Sequence, residues 1–356
     1  MSDLSEYKSF VRNNLPAGMN IADQYFFVND NRFTNYVKAE WYLKYLTKFG
    51  FSVGSLLAYA ANSITPQLVA DFKEGVYGKA SALSTFDNVL NHTRNGNATM
   101  VDADGLLKWA PHNFASYSAI DTDNWSSARS TITSVAAPNP LNLINVTKIT
   151  PKVGSNDCTE FALVRGQVVP VDIPVTYSAL VKSDGFPIAI VMFTDRPNVY
   201  GGVAYNLESE TLVELAGGNR GTLIDPFITD AGNGWYRIGF TQAGDGAKDS
   251  TSGIAVSFAP AGLGSTVAYV PSDFEGDGVL GGLTCGASIT RSDLGGMVNN
   301  PATGDSYVPT TDAARFLPRE NHHVYNGSAW VKEGYLHEPE AATNLAPYSN
   351  DFSQWS

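Results

Sequence analysis

Between about residue 130 and residue 300 the sequence repeats strand periodicity and shows little helical periodicity. Val175-Thr-Tyr-Ser-Ala-Leu-Val-Lys182 alternates apolar and polar positions, and Leu141-Asn-Leu-Ile-Asn-Val-Thr-Lys-Ile-Thr150 does so with many β-branched residues. Both patterns fit strands with one buried face. Pro187-Ile-Ala-Ile-Val-Met-Phe193 is nearly continuous in its apolar character, as expected of a strand covered on both faces. After the turn signal Asn233-Gly234, alternation resumes over Trp235-Tyr-Arg-Ile-Gly-Phe-Thr241, and Gly253-Ile-Ala-Val-Ser-Phe258 follows. Short strands separated by Gly, Pro and Asn bury their apolar faces by packing sheet on sheet, so this stretch predicts a mainly β chain built on a β-sandwich or jelly roll.

The chain has 356 residues, which predicts two or three domains. Charged residues make up only 16%, below the usual quarter, and the formal net charge is −12. An acidic chain without a basic run repels phosphate backbones, so no nucleic-acid partner is expected. The first residues, Met-Ser-Asp-Leu-Ser-Glu, lack the basic and apolar regions of a secretory signal. Phe49–Ala61 is the most apolar stretch, but it is short and broken by Gly50 and Gly54, so no membrane span is expected. The two cysteines, Cys158 and Cys285, read as buried free thiols of a protein made in a reducing cytosol.

Residues 1–62 have a different texture. They concentrate aromatics, among them Phe26, Phe27, Phe33, Tyr36, Trp41 and Tyr45, and Asn35 is placed to cap a helix running to about Lys48. So short a segment cannot cover that much apolar surface alone, which predicts a partly helical anchor docking on other chains. Residues 63–113 read as a β/loop connector and 114–290 as the sandwich. Residues 291–343 are rich in Gly, Asn and Asp and read as an extended linker, with a hairpin turning at Asn326-Gly327.

One motif occurs twice. Asn113-Phe-Ala-Ser-Tyr-Ser118 returns as Asn344-Leu-Ala-Pro-Tyr-Ser349, matching at Asn, Ala, Tyr and Ser, and each copy is followed by Trp-Ser, at Trp125-Ser126 and Trp355-Ser356. Copies this far apart mark modules rather than a solenoid. Residues 344–356 therefore read as the start of a second module, with the natural protein expected to continue. With these residues the chain resembles bacteriophage tail-fibre and related virion proteins that carry carbohydrate-binding-module-like jelly rolls. Asp102-Ala-Asp-Gly-Leu-Leu-Lys108 looks like the opening of that module. Tyr177–Lys182 with Gly234-Trp-Tyr-Arg-Ile238 looks like its paired strands, and Ser306-Tyr-Val-Pro-Thr310 with Glu338–Leu345 looks like its exit and restart. The resemblance covers roughly residues 66–356. The resemblance does not extend to residues 1–62, and 291–305 looks like an insertion relative to that family. The resemblance implies a β-sandwich module in a multi-subunit, typically trimeric, virion appendage.

The residues mark out no reactive site, so no enzyme is expected. There is no GxSxG elbow, and His92, His112, His322, His323 and His337 read as solvated or capping residues. No carboxylate pair is marked out by local sequence for glycoside hydrolysis. Asp273, Glu275 and Asp277 start like a calcium loop, but Thr284 stands where a bidentate Glu is needed, so an acidic turn is the expectation. Gly217–Gly221 is followed by Thr-Leu-Ile rather than a helix, which argues against a phosphate cradle. No cofactor or metal is expected. Trp235 and Tyr236 point to opposite faces of one strand, and Trp235 is the expected aromatic of the sandwich core. Tyr200 and Tyr205 lie in the Gly-rich stretch 198–205, read as a loop, and are the candidates for glycan contact. The expectation is thus a virion structural protein: a tail-fibre or appendage subunit, anchored through residues 1–62 to tail or baseplate proteins and displaying sandwiches toward the host surface. A capsid decoration or head-fibre protein is one alternative. A free carbohydrate-binding module or glycan-cleaving enzyme is another.

Overall fold

The computed structural model describes residues 68–337, less 74–75, 80–81, 91, 128–129, 154–166, 170–171, 195–199, 217–220, 245–250, 263–273 and 302–303. The expected anchor, residues 1–62, and the second motif copy at 344–356 lie outside the described residues. No helix among the described residues is long and apolar enough to cross a membrane.

The chain is mainly β and divides into two compact units, one spanning Leu90–Pro318 and one combining the stretch before Leu90 with the stretch from Arg319 onward. The second unit begins with the antiparallel strands β1 (Leu68–Asp71), β2 (Val76–Lys79) and β3 (Ala82–Ser84), then one helical turn, α1 (Phe86–Val89).

The Leu90–Pro318 unit opens with the hairpin β4 (Thr99–Val101) and β5 (Leu107–Trp109) and the short strand β6 (His112–Asn113). The Asp102-Ala-Asp-Gly turn joins β4 to β5. The Asp102 carboxylate accepts the Asp104 and Leu106 amides and pairs with Lys108 at 2.8 Å. Then come β7 (Ser130–Val135), β8 (Val146–Pro151), β9 (Gln167–Val168), β10 (Val175–Asp184), β11 (Ile188–Thr194), β12 (Tyr200–Asn206), β13 (Thr211–Ala216), β14 (Leu223–Gly232), β15 (Trp235–Gln242), β16 (Thr251–Ala259) and β17 (Gly281–Arg291). They form a six-stranded sheet ordered β14-β15-β10-β17-β8-β7 and a five-stranded sheet ordered β13-β12-β11-β16-β9. Every strand pairing is antiparallel. Two such sheets sharing one core are consistent with a β-sandwich, and the strand orders are compatible with a jelly roll.

Alternation places the shared core. Tyr177, Ala179 and Val181 of β10 and Ile238 and Phe240 of β15 meet Ala189, Val191 and Phe193 of β11 and Val256 and Phe258 of β16. Tyr177 stacks on Phe240 with centroids 5.5 Å apart, and Phe193 lies 5.9 Å from Tyr177. The other side of β11, Ile188, Ile190 and Met192, is buried in a separate cluster with Ala204, Ala255 and Ala259. Burial on both faces is why this strand reads as an unbroken apolar run.

Two sequence readings change here. Residues 200–205, read as part of a loop, belong to the strand β12. Gly201 and Gly202 are needed for close approach: a Cβ on Gly201 would sit 2.6 Å from the Phe193 ring, and one on Gly202 would collide with the Val191 carbonyl. The stretch after 290 also does more than link. Asn300, Tyr307 and Val308 are buried, and β18 (Arg315–Phe316) pairs with β6, so the first half of the expected 291–343 linker packs into the Leu90–Pro318 unit. The chain then returns to the other unit, where β19 (His322–Tyr325) and β20 (Trp330–Gly334) form the hairpin expected around Asn326-Gly327.

Candidate functional site

The most elaborate side-chain constellation surrounds the first copy of the repeated motif. The Asn113 carboxamide is fully buried. Its nitrogen donates to the Ala287 and Val308 carbonyls, and its oxygen accepts the Ala115 and Ile289 amides, all at 2.9 Å. One side chain thereby ties its own strand to β17 and to the segment around Val308. Backbone bonds continue the seam, Phe114 donating to Ile289 and Ala287 to Ser118. The Ser118 hydroxyl bonds the Tyr307 hydroxyl at 2.9 Å and accepts the Thr310 amide at 2.8 Å. The Trp125 indole donates to the Tyr117 carbonyl at 2.9 Å. Phe114, Ala115 and Trp125 enter the shared core. This arrangement is a clasp on β17 at Ala287–Ile289, past the Gly282–Thr284 stretch that pairs with β8.

His112 adjoins the clasp and corrects the expectation of a solvated or capping histidine. It is fully buried, with Nδ1 2.8 Å from the Ala110 carbonyl and Nε2 accepting the Arg291 amide at 2.9 Å. Both nitrogens are used only by the neutral ring, and burial pushes its pKa down to about 4. The Arg291 guanidinium lies 3.7 Å from the Trp109 ring centroid and pairs with Asp293, which also accepts the Trp109 indole proton.

The outer face of the six-stranded sheet is covered from both ends of the unit. Trp235 is buried there, packed with Val146, Leu180 and Cys285, and its indole donates to the Pro138 carbonyl at 2.8 Å. Trp235 was expected in the sandwich core. Instead Tyr236, on the opposite side of the strand, packs against that core. Alternation assigns the two residues to different faces, but both faces of β15 are covered, so polarity does not say which is inner. Arg237 donates to Ser178 and Gly286 and lies over the Tyr307 ring. Cys285 is a free, buried thiol, and burial pushes it up to about 12. Cys158 lies outside the described residues.

Of the two glycan-contact candidates, the structure places Tyr205 in the interior. It is 4% exposed and belongs to the shared core, because its position in β12 turns it inward beside Val203. Tyr200 begins β12, and its side chain lies outside the described residues. The anchor aromatics Phe26, Phe27, Phe33, Tyr36, Trp41 and Tyr45 also lie outside them. Of the three acidic-loop residues, Asp273 is outside the described residues, while the Asp277 carboxylate accepts the Val279 and Leu280 amides at 2.8 Å, as a turn residue does. Thr284 donates to the Leu180 carbonyl inside the sheet. Among the described residues no three His, Cys, Asp or Glu side chains gather as a metal cluster.

Among the described residues, the exposed aromatics lie on the β19–β20 hairpin, where Tyr325 is 53% and Trp330 39% exposed. The sequence marks the hairpin through Asn326-Gly327 but does not reveal that its flanking aromatics face water.

No protein-family model matches the chain, and no curated protein does. One solved structure with some likeness is the CBM22-1–GH10 portion of the Clostridium thermocellum endo-1,4-β-D-xylanase 10B, complexed with xylohexaose. It is 12% identical, with a TM-score of 0.26, over 53% of this chain and 29% of that one. The chain thus spans under a third of that structure's length, and a likeness this slight establishes neither fold nor function.

Proposed function

We propose that this chain is a non-enzymatic structural subunit of a bacteriophage virion. In this reading it is a tail-fibre or appendage protein that docks on tail or baseplate proteins through residues 1–62, assembles as a homotrimer and presents sandwich modules for attachment to the host surface. The observation that supports it most is the identity of the residues that recur. Asn113, Ala115, Tyr117, Ser118 and Trp125 make the clasp or fill the core behind it. Those residue types are the ones repeated at Asn344, Ala346, Tyr348, Ser349 and Trp355. At the changed positions, Leu345 replaces the core residue Phe114 by another apolar one, and Pro347 replaces Ser116, whose backbone amide donates to no other described residue. A repeat that keeps structural residues rather than surface ones supports a serial, modular architecture suited to a fibre.

The test is incorporation. Particles assembled with a chain lacking residues 1–62 are expected to omit the protein, and the full chain is expected to have the mass of three copies in solution. Incorporation of the truncated chain at the normal level would overturn the docking role.

A further inference from the structure

The β19–β20 hairpin carries two aromatic rings where folding has least use for them. Its base is held within its own unit: Gly334 lies against the Phe72 backbone, where a Cβ would come within 2.6 Å, and Tyr335 packs on Phe72 and Phe86 with centroids 5.4 and 5.5 Å apart. Its tip is held by the turn. The Asn326 carboxamide oxygen accepts the Ser328 and Ala329 amides and the Ser328 hydroxyl, and the Asn326 amide donates to the Ala329 carbonyl. Between base and tip, Tyr325 stands directly opposite Trp330, with ring centroids 5.5 Å apart and planes inclined by 53°. The pinned turn fixes this notch before any ligand arrives, which lowers the ordering cost of binding. His323 and Lys332, paired two positions down the ladder, lie on the same strand face as the two rings.

We infer that the Tyr325–Trp330 notch is a binding subsite for one neutral pyranose ring of a glycan, stacked through its C–H face on one aromatic while the other closes over its edge. Two half-exposed rings offer on the order of 200 Å² of contact, far below the roughly 800 Å² per partner of a stable protein interface, so the patch is the size of a sugar. The acidic charge of the chain disfavours phosphorylated ligands such as nucleotides. Asn326 and Ser328 place polar groups beside the rings, as a hydroxyl-rich ligand requires. The proposed host attachment gives this subsite its setting but not its argument. Loss of particle incorporation would leave the sugar contact standing, and failed sugar binding would overturn the contact alone.

The test uses the full chain with methyl β-D-glucoside, methyl β-D-galactoside, methyl α-D-mannoside and linear oligomers of these sugars, read by saturation-transfer NMR and calorimetric titration. Binding of at least one probe is expected. Tyr325→Ala and Trp330→Ala should each weaken it by at least about tenfold, a change of about 1.4 kcal/mol, with Tm unchanged, and Trp330→Phe should retain it. Absence of binding by every probe, or binding that survives both alanine variants, would overturn the inference. So would loss of the hairpin's own folding in Trp330→Ala with no sugar bound by Trp330→Phe, which would make the pair a hairpin staple. Self-association that depends on the two rings without sugar binding would also sink it, in favour of a protein contact.

Discussion

At the scale of single residues, stability is concentrated in buried polar groups that are fully paired. Asn113 is the clearest case. Asn113→Ala would leave the Ala287 and Val308 carbonyls and the Ala115 and Ile289 amides without their partner. Each buried unsatisfied group costs about 1–3 kcal/mol. A loss of roughly 3 kcal/mol or more is therefore expected, seen as a lower denaturant midpoint at unchanged m. His112 gives a pH dependence with a definite sign. Its folded-state pKa lies below the unfolded value, near 4 against 6.5. The unfolded chain therefore takes up the proton first, and stability present above pH 6.5 is lost as pH falls toward 4. Fully developed, the loss is about 3 kcal/mol. Comparison with His112→Phe isolates it: the variant should lose that part of the slope between pH 6.5 and 4, and an unchanged slope would refute the assignment. The sequence shows that Asn113 recurs but not why. Its partners lie far along the chain at Ala287 and Val308, where no local pattern reaches. His112 is hidden for the same reason, since its burial depends on Arg291 and on Phe316 stacked against it.

At the scale of elements, strands covered in the ordinary alternating way are legible and glycine-rich strands are not. The strands β10, β11, β15 and β16 fall where alternation or an apolar run places them. The strands β12 and β17 carry Tyr-Gly-Gly-Val and Gly-Gly-Leu-Thr-Cys-Gly, which by local chemistry say turn. Packing overrides that chemistry: Gly202 admits the Val191 carbonyl, and Gly282 admits the Phe258 ring. Leu141 and Leu143, read as part of a strand, instead help cover Trp235 from outside the sheet, because apolar residues on a covering segment mimic a strand face. A paired substitution tests the role of glycine. Gly202→Ala forces a Cβ into the β11 backbone and should cost about 1–3 kcal/mol or more. Gly96→Ala, where a Cβ meets nothing within 4 Å, should stay within about 0.5 kcal/mol. Equal effects in thermal melts would return residues 200–205 to the status of an adaptable loop.

At the scale of the whole molecule, the order of units along the chain differs from a row of beads. The chain leaves one unit at Val89, completes the Leu90–Pro318 unit, and returns at Arg319 to finish the first. Phe72, Tyr77 and Phe86 from one side of the excursion meet Tyr335 and Glu320 from the other: Tyr335 packs on Phe72 and Phe86, and the Tyr77 hydroxyl donates to Glu320. Reading left to right divides such a unit into a connector and a linker, since each half shows only part of an apolar face and the partner half lies more than 200 residues away. The Leu90–Pro318 unit, by contrast, closes on itself through the clasp and through β18 on β6. Ending the chain at Pro318 should therefore separate the two. The sandwich should keep its thermal transition within a few degrees, and the stretch before Leu90, deprived of Tyr335 and Glu320, should lose amide protection in hydrogen exchange and become the preferred site of proteolysis. If both units lost their transitions together, the sandwich would depend on the returning chain for its own stability, and the clasp would not suffice to close it.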